Sequence, residues 1–186
     1  MKATQILMDE HRVIERVIAA LERAAQQLQD SVPVRSGFFL DAADFIRGFA
    51  DGCHHHKEEG VLFQSMLAAG APAQGGPVQV MLAEHEQGRA YTRGMREAAQ
   101  KVQSGDDTAR TEIVKNALGY VSLLRDHIRK EDGILFPMAD RLIPLSLQDG
   151  VIDGFERVEH EETGEGVHEK YLALAEKLEQ EAARSG

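Results

Sequence analysis

Apolar residues recur at intervals of three and four along nearly the whole chain, and no segment holds the strict alternation of a half-buried strand. That period restricts the chain to helices. The first predicted helix runs from Thr4, a candidate N-cap, to Gln29, with Leu7, His11, Ile14, Ile18, Leu21 and Leu28 along its inward stripe. A Pro/Gly/Ser-rich loop over 31–37 leads to a second helix from Phe39 to Ala69, ended by Gly70. The linker 71–76 gives way to Pro77, well suited to the first turn of a third helix that extends to Gln103. Its stripe reads Val78, Met81, Leu82, His85, Thr92, Met95, Ala99 and Val102. Residues 104–107 form a turn and cap, and a fourth helix to Arg141 turns Ile113, Ala117, Tyr120, Leu124, His127, Glu131, Ile134 and Met138 inward. Pro144 closes it. An Asp/Gly-rich connection, helical in part around 154–162, precedes a fifth helix over 167–183.

Four long helices with short connections predict an all-α fold: an antiparallel up-down-up-down four-helix bundle over residues 1–143. Residues 144–186 form a C-terminal extension whose helix packs on the same domain. Composition agrees, since 42% hydrophobic residues suffice for a core, while 5% aromatics and no Trp suit a helical bundle. A net charge of −10 argues against nucleic acid as a partner. No apolar run approaches the roughly 20 residues of a membrane span. The single cysteine, Cys53, excludes a disulfide framework and any multi-cysteine metal site. Residues Met1-Lys2-Ala3-Thr4 run straight into a charged amphipathic pattern without a cleavable signal. With the lone thiol, this gives the expectation of a cytoplasmic protein.

Four of the eight histidines fall on the apolar stripes, one per long helix: His11, His54, His85 and His127. Burying an imidazole without a partner costs several kcal/mol, so four of them point to a shared purpose. An internal repeat sharpens this. The segment His54-His-His-Lys-Glu58-Glu-Gly-Val-Leu-Phe63 aligns without gaps on His127-Ile-Arg-Lys-Glu131-Asp-Gly-Ile-Leu-Phe136. Each copy holds His-x-x-x-Glu, which puts one imidazole and one carboxylate on the same helix face, a turn apart. Four imidazoles and two carboxylates (Glu58, Glu131) match two divalent ions, each with two histidines, and the carboxylates bridging. That donor set suits iron best, with manganese or zinc as substitutes. Catalytic zinc takes a more compact set of three protein ligands, so the count favours a dinuclear centre.

These motifs, together with Met-Asp-Glu-His11-Arg-Val-Ile and Ala-Glu-His85-Glu-Gln-Gly-Arg, resemble bacterial hemerythrin-like (HHE cation-binding) domains over about residues 4–140. The resemblance implies a four-helix bundle enclosing a non-haem di-iron centre, bridged by two carboxylates and a solvent oxygen (oxo or hydroxo). His11, His54, His85 and His127 would be terminal ligands, and Glu58 and Glu131 the bridges. One departure stands out. Oxygen-carrying hemerythrins place two histidines four apart on the third helix, but Arg89 follows His85 at that spacing. The chain is therefore one imidazole short, leaving a position open or filled by another side chain. Tyr120, seven residues before His127, is a candidate ligand or hydrogen-bond donor if it is not simply packed in the core; Glu156 and His160 are weaker candidates.

The helix period lets one of His54, His55 and His56 face the metals squarely, and alignment with the fourth helix selects His54. His55, four before Glu59, offers a second register and otherwise serves at the surface or in support. The expectation is that His54→Ala removes one metal and His55→Ala does not. Gly60 and Gly133 suggest close helix packing beside the site, Cys53 reads as a small core residue rather than a redox thiol, and His168 as a surface residue. The resemblance implies a protein that binds or reacts with oxygen, peroxide or nitric oxide at an open iron position, the missing imidazole leaning towards reactivity over reversible carriage. The alternative is an iron- or oxygen-sensing module whose fold depends on its metals. Iron–sulfur cluster repair fits less well, because helix 1 begins at once without a cysteine-bearing N-terminal domain.

Overall fold

A computed structural model describes residues 2–164 and 166–184, with 161–163 as backbone only. The fold is all-helical, 88% helix, with no strand among the described residues. Helix α1 (Ala3–Gln29) contains neither Gly nor Pro and is rich in Ala, Leu, Gln and Glu, all good helix formers. Helix α2 (Ser36–Phe45) passes into a π-helical stretch, Ile46–His55, then a second, Glu58–Leu62, and ends as α3 (Phe63–Ala68). Helix α4 (Pro77–Gln103) begins with its proline where the missing N–H is no loss. The Asp106 side chain accepts from the Thr108 N–H at 3.1 Å and caps the turn into α5 (Arg110–Lys130). A π-helical turn, Glu131–Leu135, joins α5 to α6 (Phe136–Leu142). Helix α7 (Leu145–Arg157), a π-helical end over Val158–Thr163 and α8 (Val167–Arg184) complete the chain. No helix is long and apolar enough to cross a membrane.

Several expectations need correction. Thr4 is not the N-cap of α1: it lies inside the helix, donating its hydroxyl to Asp140 Oδ1 at 2.8 Å, and Lys2 takes the cap position without a side-chain bond. The stretch after Pro144 is a full helix, because Leu147, Val151 and Phe155 keep helical spacing through its Asp and Gly residues, and Val151 and Phe155 are buried. Leu82 and Ile134, expected inside, are 38% and 61% exposed. Ile134 is displaced by the π-helical turn. Hydrogen bonds there span five residues rather than four, so Leu135 takes the inward place. The same winding buries Leu62 in the matching turn.

The apolar core lies in two clusters. One holds Ile14, Phe45, Phe49, Met95, Tyr120, Leu124 and part of α8; the other holds Leu7, Phe63, Met66, Met81, Phe136 and part of α7. His11 sits between Leu7 and Ile14 on α1, so the buried histidines form a polar layer between the two clusters. Residues after 144 belong to both clusters, through Val151 and Phe155 and through Tyr171, Ala175 and Leu178. They dock through glycines. A Cβ at Gly48 would fall 2.0 Å from the Tyr171 ring, and one at Gly154 would fall 2.6 Å from Val61.

These close approaches predict that Gly48→Val, which must displace the Tyr171 ring, costs about 1–3 kcal/mol. Gly150→Ala, on the open face of α7 with nothing within 4 Å, should instead stabilise by about 0.4–1 kcal/mol. Urea unfolding of both variants checks the pair; a neutral Gly48→Val would mean that α8 does not dock on Gly48.

Candidate metal centre

Seven side chains converge on the polar layer. His11 comes from α1, His54 and His55 from the first π-helical stretch, Glu58 from the second, His85 from α4, His127 from α5 and Glu131 from the π-helical turn after α5. None is more than 5% exposed. Glu131 Oε2 lies 3.2 Å from both His11 Nε2 and His127 Nε2. Glu58 reaches in two directions, Oε1 3.6 Å from His54 Nε2 and Oε2 3.4 Å from His85 Nε2. His85 Nε2 and His127 Nε2 are 3.1 Å apart. The donors fall into two groups, each compact enough to hold one ion: His55, Glu58, His85 and His127, and His11, His54, Glu58 and Glu131. Glu58 belongs to both.

All six residues singled out in the sequence thus meet at one place, and a seventh joins them. His55 is no surface residue: it stacks on His85 at 3.8 Å between ring centroids. Both 54 and 55 lie on the buried side, as do the aligned His127 and Ile128 on α5, with His54 towards α1 and His55 towards α4. Arg89 is not a donor but an anchor, binding Asp51 at 2.6 Å and Glu59 at 2.8 Å. Glu156 and His160 point to solvent. Tyr120 is buried without a partner for its hydroxyl and lines the same cavity as His55 and His85. Gly60 and Gly133 do not mark close helix contacts. A Cβ at Gly133 would meet nothing within 4 Å, and one at Gly60 only its own helix's His56. His168 is half-buried against Phe49 at 5.2 Å.

Around the donors runs a second layer of carboxylates, each held to the far nitrogen of an imidazole. Nδ1–H donates to Asp132 from His11 at 2.7 Å, to Glu10 from His54 at 2.9 Å, to Glu59 from His85 at 2.7 Å and to Glu84 from His127 at 2.9 Å. His55 Nδ1 stands 3.5 Å from Asp51. Such bonds fix the tautomer that presents an Nε2 lone pair inward. A third layer of cations holds the carboxylates: Arg12 on Asp132, Lys57 on Glu10, Lys130 on Glu84 and Arg89 on Glu59.

The arrangement is mirrored. Glu10-His11 on α1 matches Glu84-His85 on α4, and the two His-x-x-Lys-Glu-(Glu/Asp) repeats match each other. In both, the acid before the α1 or α4 histidine holds the repeat's histidine, 44 residues on from Glu10 and 43 from Glu84. In both, the acid after the inner carboxylate holds the α1 or α4 histidine of the opposite half. Glu59 stands out in the sequence only as the end of a second His-x-x-x-Glu register, and Glu10, Glu84 and Asp132 do not stand out at all. A Glu directly before each of the stripe histidines His11 and His85 was the available signal. Symmetry breaks at one donor, since His55 aligns with Ile128 in the second repeat.

Electrostatics follow from this layering. Burial disfavours imidazolium at His11 and His85, yet Asp132 and Glu131 beside the first, and Glu58 and Glu59 beside the second, raise both to about 9. His55, fully buried and next to His85, is held well below the usual imidazole range. Burial would raise Glu131, but His127 and His11 bring it well below the usual carboxylate range. Burial pushes the Cys53 thiol up to about 11, in keeping with a core residue rather than a reactive thiolate.

The donor chemistry fits metal. Both oxygens of Glu58, both of Glu131, and Nε2 of His11 and His54 are buried without a hydrogen-bond partner. Orphaned carboxylate oxygens are among the most costly groups to bury, and a cation among them removes that cost. A third acidic group, Glu10, Glu159 and His168, already holds a cation, since the Lys57 ammonium binds both glutamates.

Comparison with known proteins agrees with this geometry. The family model described as hemerythrin HHE cation binding domain matches residues 2–139. The chain belongs to that family, which makes the cluster a metal-binding site with histidine and glutamate donors. Uncharacterized proteins of Mycobacterium tuberculosis (strains CDC 1551 and H37Rv) and of Mycobacterium bovis are each 26% identical to it over 164 residues, 88% of this chain. The chain spans 63% of the length of these relatives. No solved structure matches it significantly.

The mirrored lysines differ in burial, Lys57 being 0% exposed and Lys130 36%. Lys57→Met strips the buried Glu10 of its ammonium and leaves it only the His54 N–H, which should cost about 3–5 kcal/mol. Lys130→Met, with water at hand for Glu84, should cost no more than about 1 kcal/mol. Guanidinium unfolding compares them, and equal losses would show that burial does not set the difference.

Proposed function

We propose that this chain is a non-haem di-iron protein that binds or reacts with a small ligand such as oxygen, peroxide or nitric oxide. His11 and His54 hold one iron, His55, His85 and His127 hold the other, and Glu58 and Glu131 lie between the two. The six orphaned donor atoms carry this reading, since they lie together in a buried layer and no hydrogen-bond partner among the described residues satisfies them. Iron is favoured over zinc by the mixed imidazole and carboxylate set and by its size. A pair of irons supplies redox equivalents and a Lewis-acidic position for a small ligand.

The protein's own part is to hold that pair. The inner carboxylates offset its charge, and the second-layer carboxylates orient the imidazoles. Phe136, stacked on His11 at 5.4 Å, and Phe63, 6.0 Å from His85, keep water from the layer. The two groups would offer unlike donor sets, three imidazoles and one carboxylate against two of each, which supports different roles for the two ions. The short connections support an antiparallel up-down-up-down arrangement of the four long helices over 1–143, with 144–186 packed on it as an extension. The single buried thiol supports a cytoplasmic location. A sensing role is the second reading, favoured by the two buried carboxylates, which tie the fold to the metals.

Metal analysis of protein produced with iron should find two irons per chain. His54→Ala and His55→Ala should each lower that number, and Glu58→Ala should lower it most. Glu84→Ala should keep the fold while weakening metal affinity by about 10–100-fold. Visible spectra of the anaerobically reduced protein, before and after oxygen or nitric oxide, separate the two readings. A spectral change supports ligand chemistry, and no change with unfolding on chelation supports the sensor. Zinc alone, or less than one metal per chain, overturns the di-iron reading.

A further inference from the structure

Helix α4 repeats a basic residue along the face that bears His85: Arg89, Arg93 and Arg96 follow it at intervals of four, four and three. This stripe borders a cavity of about 230 Å³ between α4 and the α2 side of the molecule. Its walls are Ala43, Ile46, Gly88 and Thr92, with the Asp51 carboxylate alongside them neutralised by Arg89 at 2.6 Å. Its inner end is made by His55, His85 and Tyr120, all buried, and its outer end by Arg47, Arg93 and Arg96.

Three features of the cavity are unused by the metal centre. First, Arg89 is saturated by Asp51, Glu59 and Glu86, but Arg93 and Arg96 have no carboxylate within ion-pair distance among the described residues. Two unpaired guanidinium groups one turn apart, on a chain of net charge −10, form a local anion trap. Second, Tyr120 is 1% exposed and its buried hydroxyl has no hydrogen-bond partner, a costly state that an oxygen-bearing ligand would relieve. Third, the volume is several times the ~30 Å³ share of one water, far more than a diatomic needs, and its walls are mostly apolar.

We infer that this cavity binds a small organic carboxylate bearing a second oxygen group at its far end. Arg93 and Arg96 hold the carboxylate, the aliphatic middle lies along Ala43 and Ile46, and the Tyr120 O–H donates to the inner oxygen beside His55 and His85. This deepens the di-iron reading and rests on it for what happens at the inner end, but not for binding.

The test is calorimetric titration with 6-hydroxyhexanoate of protein whose metal content is measured on the same sample. Saturable binding of one molecule per chain is expected. The uncharged 1,6-hexanediol should bind at least about tenfold more weakly, as should 6-hydroxyhexanoate to the Arg93→Ala/Arg96→Ala double variant. Tyr120→Phe should weaken 6-hydroxyhexanoate but leave hexanoate, which lacks the inner hydroxyl, unchanged. Gly88→Leu, filling the space beside Tyr120, should abolish binding of both; because it could also disturb the fold, the exposed arginine pair decides the outcome. Absent binding, equal binding of the diol, or indifference to the arginines overturns the proposal. Two irons without probe binding would sink the cavity assignment alone, whereas probe binding without metal would sink the di-iron reading alone.

Discussion

Two glutamates, Glu58 and Glu131, are wholly buried, all four oxygens lack a hydrogen-bond partner, and three of them lie within 3.6 Å of imidazole nitrogens. The rest of the interior is organised around that constraint. Two anionic groups in an apolar bundle need positive charge close by, and imidazoles that lend their inner nitrogens need support at the outer ones. Hence the ring of Glu10, Glu59, Glu84 and Asp132, and beyond it the ring of Arg12, Lys57, Arg89 and Lys130. Charge alternates outward through three layers, so that no single group is left to bear the cost of burial. The apolar core is divided in two because this layer crosses the middle of the bundle.

The six donors were legible from sequence for a simple reason. Helical period turns polar interruptions of an apolar stripe into neighbours, and the same His-x-x-x-Glu spacing occurs twice. The long helices were legible on the same ground, as was Pro77 at the start of α4. What escaped has several causes. Ile134 lies in π-helical winding, which passes its inward place to Leu135, and His55 is buried beside His54 as Ile128 is beside His127, on a second inward line that a single stripe leaves out. The second-layer acids escaped for another reason: Glu59 and Asp132 look like ordinary solvated charges until the fold brings a histidine from the facing helix against them. Glu10 and Glu84 were more accessible, each standing directly before a stripe histidine. Helix α7 was read as a partly helical connection because its glycines and aspartates counted against it, although burial of Val151 and Phe155 against the bundle overrides so weak a preference.

Arg89 changes meaning between the two levels. In sequence it marks a missing ligand, since a histidine would stand there in an oxygen carrier. In the structure it ties Asp51 and Glu59 together, and the imidazole count is restored from the π-helical stretch by His55. An imidazole absent from one helix is thus matched by one present on another.

The mirrored pairing also bears on how the molecule comes together. Residues up to Ala68 supply one half of the donors and those from Pro77 to Leu142 the other. Neither half completes either donor group: His85 and His127 need Glu58, and His11 and His54 need Glu131. The supporting bonds from His11 to Asp132 and from His85 to Glu59 cross the same boundary. Local helix formation alone therefore gains nothing from the centre. The reward arrives only when two distant halves of the chain dock, which makes the centre a lock on long-range assembly and concentrates the cooperativity of folding in that one layer.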